Sequence, residues 1–181
     1  MNISFVNDPT LVYDIAVRVP NVSLAQHNDP SVIYADGQVR LDYEVGEITV
    51  LLGNASAYSM TLDVATGSVE ISLGSHSHFQ DVTVTVATGE VAVEMTSDAT
   101  VVGNASVRLS VATGSINVTL ATPPEVGIRF TASTTVGPMN IATTWGNVSN
   151  GVAQTSNYGT TPLSLDVTAT VNAGSVDAHL N

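Results

Sequence analysis

Apolar and polar residues alternate along much of this chain, and three stretches do so in nearly the same words: LDVATGSVEISL from Leu62, VTVATGEVAVEM from Val84 and LSVATGSINVTL from Leu109. A period of two is the mark of a strand with one buried face. In the first copy it assigns Leu62, Val64, Val69, Ile71 and Leu73 to the core; in the second, Val84, Val86, Val91, Val93 and Met95; in the third, Leu109, Val111, Ile116, Val118 and Leu120. Between them, Asp63, Ser68, Glu70, Ser72, Thr85, Glu90, Ala92, Glu94, Ser110, Ser115, Asn117 and Thr119 are expected to face solvent.

The parity of the pattern changes at an ATG corner in each copy. Gly67, Gly89 and Gly114 close these corners at intervals of 22 and 25 residues, and weaker copies surround Gly46, Gly137 and Gly174; the last interval, 37 residues, breaks the rhythm. Glycine there supplies a positive φ that a β-branched residue resists. A recurring unit of 20 to 25 residues signals stacked repeats, each too small to bury its own apolar face. At about 3.3 Å per residue one unit has a contour near 70 Å, enough for two or three short strands. The expected fold is therefore all-β: a single-domain β-solenoid of about six or seven coils with parallel stacked strands, in which Thr66, Thr88 and Thr113 lie over one another. The alternative is a β-sandwich, which also uses many short strands but has no reason to repeat its side chains in phase.

The ends depart from the repeat, as terminal coils must. Residues 1–32 read as an N-terminal extended segment or cap, and 33–181 as the repeat domain, with a loop insertion near 145–162 rich in Gly, Asn, Ser and Thr. That loop carries Trp145 and Tyr158. Such aromatics can form a stacking platform for sugars or a protein contact, but their commoner use is to cover the end of a core.

Composition narrows the function. With 16 acidic residues against four basic ones, all arginine, the chain has a net charge of −12, which repels phosphate backbones, so nucleic acid is not expected as a partner. There is no cysteine, hence no disulfide framework and no thiolate chemistry. No apolar run reaches the length of a membrane helix, and the first ten residues lack the pattern of a signal peptide. His76 and His78, with Asp81 nearby, make two imidazoles of a metal site without a third ligand, so no metal and no cofactor are expected. No serine occupies a nucleophile elbow, carboxylates such as Glu70, Glu90 and Glu94 fall on outward positions, and no glycine-rich turn leads into a helix. An enzyme is not expected.

The repeated apolar-x-apolar-x-x-Gly-x-apolar-x-apolar unit, together with the ending NYGTTPLSLDVTATVNAGSVDAHL, resembles the putative-adhesin or "toast-rack" β-solenoid family of prokaryotic, especially archaeal, cell-envelope proteins. The likeness covers roughly residues 33–180. It implies a non-enzymatic structural spacer or adhesin-like module of the cell surface, with no catalytic residues to carry over. Members of this family are commonly held to the membrane by a helix, which this sequence does not contain. Six N-glycosylation sequons, at Asn2, Asn21, Asn54, Asn104, Asn117 and Asn147, suit an extracellular address, although Asn and Ser also fill turns for backbone reasons. Two further roles stay open: a filament subunit that self-associates through the solenoid ends by strand pairing, and a carbohydrate-binding module in which Trp145 and Tyr158 contact cell-surface glycans or proteins.

Overall fold

In the computed structural model, which describes residues 13–19, 37–52, 56–73, 78–146 and 148–181, the repeated units become long strands lying side by side in parallel. In chain order these are β1 (Tyr13–Val19), β2 (Gly37–Leu52), β3 (Ser56–Leu73), β4 (His78–Met95), β5 (Thr100–Leu120), β6 (Val126–Val136), β7 (Met139–Thr143), β8 (Val152–Gln154) and β9 (Leu163–Leu180). No helix occurs among the described residues.

Each repeat strand is a bent pair of legs. Between the end of β4 and the start of β5 lie only residues 96–99, which reach about 14 Å at 3.3–3.6 Å per residue, whereas the 18 residues of β4 would extend about 60 Å if straight. Because β4 and β5 nevertheless pair in parallel from beginning to end, each must fold back on itself. The fold comes at the ATG corner. Before it, Leu62 and Val64 are buried; after it, Val69, Ile71 and Leu73 are, and the same shift of parity recurs in β4, β5 and β9. The first legs and the second legs thus supply one continuous apolar core, and all fifteen core residues expected from the three copies lie in it. The expected solvent-facing positions all fall outside that core.

Glycine is required at the corners for two separate reasons. Gly67, Gly89, Gly114, Gly137 and Gly174 have φ between +135° and +147°, where a side chain is strained. They are also stacked: Gly46 pairs with Gly67, Gly67 with Gly89, Gly89 with Gly114 and Gly114 with Gly174. A Cβ on Gly89 would sit 1.6 Å from the carbonyl oxygen of Gly67, and one on Gly137 would sit 1.7 Å from that of Gly174. Thr66, Thr88 and Thr113 are in register beside this column and exposed, as the repeats imply.

The order of the layers is not the order of the chain. It runs β1, β2, β3, β4, β5, β9, β6, with β7 also on β9, so the C-terminal strand enters between β5 and the coil made by β6 and β7. The parallel stacking of the repeats rules in the coil expectation over the sandwich: antiparallel pairing among the described residues is confined to β6 with β8 and a bridge between Ser149 and Val152. The irregular intervals also acquire causes. The interval of 25 residues exceeds 22 because β5 bulges between its pairings Phe79 with Val101 and Asp81 with Ser106, where Gly103 takes a φ of +65°. The interval of 37 residues is the detour by which the chain completes an outer coil, crosses the end of the stack and returns one layer inward. Of the expected N-terminal segment, residues 1–12 and 20–32 lie outside the described residues; β1 pairs in parallel with the start of β2.

The two kinds of glycine give a paired test. Gly103 has no atom within 4 Å of an added Cβ, so Gly103→Ala is expected to cost only the left-handed strain, about 1–2 kcal/mol. Gly89→Ala adds a clash with rigid backbone and is expected to exceed about 4 kcal/mol or abolish folding. Urea unfolding of both variants against the unaltered chain checks the contrast.

Candidate functional site

The segment after β7 closes one end of the stack. β8 runs antiparallel along β6, pairing Val152, Ala153 and Gln154 with Thr131, Phe130 and Arg129. On either side the closure continues through single residues. The Ala132 N–H donates to the Gly151 carbonyl at 2.8 Å, and the Thr155 N–H donates to the Ile128 carbonyl at 2.9 Å. The Thr155 hydroxyl in turn accepts from the Ile128 N–H at 2.9 Å, which accounts for a buried threonine in an apolar setting. Gly127 lacks a side chain because the next turn rests on it: a Cβ would lie 2.7 Å from the Tyr158 Cα.

Trp145 and Tyr158, the two aromatics expected to touch a ligand, have different surroundings. Trp145 follows β7, its N–H donates to the Thr143 hydroxyl at 2.9 Å, and its ring packs half-buried against the core. Its indole Nε1 is buried without a hydrogen-bond partner among the described residues, as is the Asn157 Oδ1. Tyr158 belongs to a small polar cluster on the outside of the first legs. Its hydroxyl donates to Asp166 Oδ1 at 2.8 Å, Arg129 Nε donates to the same oxygen at 2.8 Å, and the Arg129 guanidinium lies 5.1 Å from the centre of the phenol ring. Burial pushes the Tyr158 phenol above the ordinary tyrosine value, with the hydrogen bond to Asp166 and its negative charge acting in the same direction and Arg129 opposing them. Both ionic partners are well exposed, so their attraction is of the surface kind, about 0.2–1 kcal/mol. The cluster orients a phenol and a guanidinium; its carboxylate oxygen already accepts two bonds.

Arg129 and Asp166 carry no repeat signature of their own, yet a signal for their pairing existed in the sequence. They are separated by 37 residues, the same offset that links Ser133 to Thr170, Asn140 to Asp177 and Gly137 to Gly174. The interval that breaks the rhythm is the register of the outer coil on β9.

The outer faces of the two legs differ in charge. Arg108 and Arg129 lie on first legs, and Arg18 and Arg40 occupy first-leg positions in β1 and β2. Arg108 donates to Ser106 at 2.7 Å, and Ser106 donates to Asp81 at 2.6 Å. The second legs present Glu70, Glu90, Glu94 and Asp177 without any arginine, and Glu47 shares their register. There Asn117 donates to Glu90, and Asn140 donates to Asp177 at 2.8 Å. Glu70 lies opposite Ala92 and Glu90 opposite Ser68, so neighbouring carboxylates are staggered on an exposed face.

The remaining candidates are placed as follows. Asn104 is exposed on the β5 bulge, where its Oδ1 accepts from the Ser164 hydroxyl at 2.9 Å. Asn117 lies on the outer face with its amide engaged by Glu90. Asn2, Asn21, Asn54 and Asn147 lie outside the described residues, as does His76. His78 begins β4, and the exposed His179 is in register with Thr119 and Ala142. No group of three metal-binding side chains forms among the described residues.

The raised phenol pKa carries a sign. The folded chain holds the Tyr158 proton more tightly than the unfolded chain does, so this contribution to stability is complete below about pH 10 and is lost as pH rises through the folded value. Tyr158→Phe is expected to delete one phenolate step above pH 10 in an ultraviolet titration and to shrink the loss of stability in that range.

No known family model matches the chain, and no curated protein does. Among solved structures, it resembles the crystal structure of a "putative cell adhesion protein" from Clostridium sporogenes, with 14% identity over 80% of this chain and 92% of that one and a TM-score of 0.68. At that identity the likeness is one of fold: the two chains share an all-β architecture.

Proposed function

We propose that this protein is a non-enzymatic module of the cell exterior, a rigid β-solenoid that serves as a spacer or adhesin-like unit. The observation that carries the reading is the outward surface. Column after column of Ser, Thr, Asn, Asp and Glu lies in register across the layers, on legs whose only common requirement is an apolar inner side. Such a surface presents a long repeated face and, among the residues of described burial, no recessed group with a buried charge to work with. A fold likeness to a protein described as a cell adhesion protein supports the same reading. So does the exposure of Asn104 within an intact sequon, and so does the charge balance, which keeps an acidic rod soluble and away from anionic surfaces.

The test is made on cells that express the protein natively. Because the sequence contains no lysine, amine-directed labels report little, and antibody binding to intact cells is the better probe. The expected result is binding to intact cells equal to that on permeabilised cells, and a glycan mass on the peptide carrying Asn104. Antibody binding only after permeabilisation would overturn the exterior assignment.

A further inference from the structure

We propose that the end of the stack formed by β6, β7 and β8 is the interface of a two-fold dimer of this chain. Three observations converge there. The first is charge: from 130 to 165 the sequence contains no Asp, Glu, Lys or Arg, in a protein of net charge −12. This tract supplies residues 130–136 of β6, the whole of β7 and β8, and the segment that crosses the end. Native edge strands are commonly defended by charge, and β7 is an edge with none. The opposite end is different, since β1 and β2 carry Asp14, Arg18, Arg40, Asp42, Glu44 and Glu47.

The second observation is exposed apolar surface, which among the residues of described burial gathers at this end. Val136 is 66% exposed, Met139 38% and Val148 39%. The register shows why the first two are unusual. Val136 continues the corner column that interior layers fill with Thr66, Thr88, Thr113 and Ala173. Met139 continues the core column of Val69, Val91, Ile116 and Val176, all buried, so the core itself runs out to the surface here.

The third observation is shape. β8 adds a layer over β6, whereas β7 pairs with β9 alone, so the end is a step: the first leg stands one strand deeper than the second. A two-fold axis lying along the strands sets the raised leg of each copy over the recessed leg of the other. Rotation about an axis perpendicular to the sheets would instead set β8 against β8. The occupant is a second copy because the tract from 130 to 165 offers no charge to recruit an acidic or basic partner, and the one charged residue of β6, β7 and β8, Arg129, is already bound to Asp166. Two chains of net charge −12 can also meet through this tract without opposing like charges. A two-fold contact closes, which is the usual form of a self-complementary patch.

Light scattering coupled to size exclusion tests this directly on the full chain. The unaltered protein is expected at twice its 18.7 kDa mass at tens of micromolar. Val136→Glu is expected to weaken self-association by roughly 100-fold or more, since the two-fold places both new charges in one interface. Thr88→Glu adds the same charge at the equivalent position of an interior layer and is expected to leave the dimer intact. Should Val136→Glu lose its melting transition, Val148→Glu on the crossing segment gives the same readout. A monomer at every concentration, a ladder that lengthens with concentration as in head-to-tail growth, or a dimer indifferent to Val136→Glu and Val148→Glu would each overturn the proposal. None of these outcomes bears on whether the protein is displayed on cells.

Discussion

The structure depends on how closely one corner sits on the next. In the stacked glycine column a carbonyl oxygen occupies the place where the next residue's Cβ would be, and no other residue type allows that spacing. Once the corners are fixed in this way, both legs inherit their register, because every residue counts outward from the glycine. A slip by one residue would turn the entire inner side of a leg to solvent. The near-identical wording of the repeats follows: alternation supplies the inner side, and the corner supplies the phase.

With the inner positions committed, the outer positions are free to vary, and they divide by leg. Arginines sit on the first legs beside aspartates such as Asp81 and Asp166, while the second legs carry carboxylates relieved by Asn117 and Asn140. Stacked like charges within one column would repel at the separation of neighbouring strands, and the register largely avoids this by alternating Glu90 with Ser68 and Ser115, and Glu94 with Ser72 and Thr119. The outer surface is therefore an ordered mixture of polar groups.

The core, the corners and the parallel stacking were legible in the sequence because each rests on local, repeated chemistry: a period of two and a glycine at fixed phase. Three features were not. The position of β9 was hidden because a strand reads the same whether it stacks next in order or one layer back, although the repeated 37-residue offset contained the information. The β5 bulge was hidden in a lengthened interval whose excess a turn could equally absorb. At the candidate site, Tyr158 was visible as an aromatic in a polar loop, but its partners Arg129 and Asp166 belong to strands that only the insertion of β9 makes adjacent. Trp145 was visible too as an aromatic of the loop insertion, but its packing against the core depends on where that loop lies and could not be read from the sequence.

That insertion also explains why the end of the stack looks as it does. With β9 lying between β5 and the β6–β7 coil, the edge at this end is not made by β9. The edge is instead made of residues laid down earlier, and these must serve two neighbours in turn: β9 on the inner side, and the returning segment on the outer side. β6 meets the second demand through β8 and Thr155, which satisfies the Ile128 N–H and carbonyl together. Among the described residues β7 has no such cover, because the returning strand β8 pairs along β6 rather than along β7. Long-range insertion of this kind delays closure of the slot until β5 and β6 are both in place, and a charge-free tract from 130 to 165 lets that closure proceed without bringing like charges together inside an acidic chain. The same neutrality that lets the chain close its own slot leaves its uncovered edge without the usual electrostatic guard.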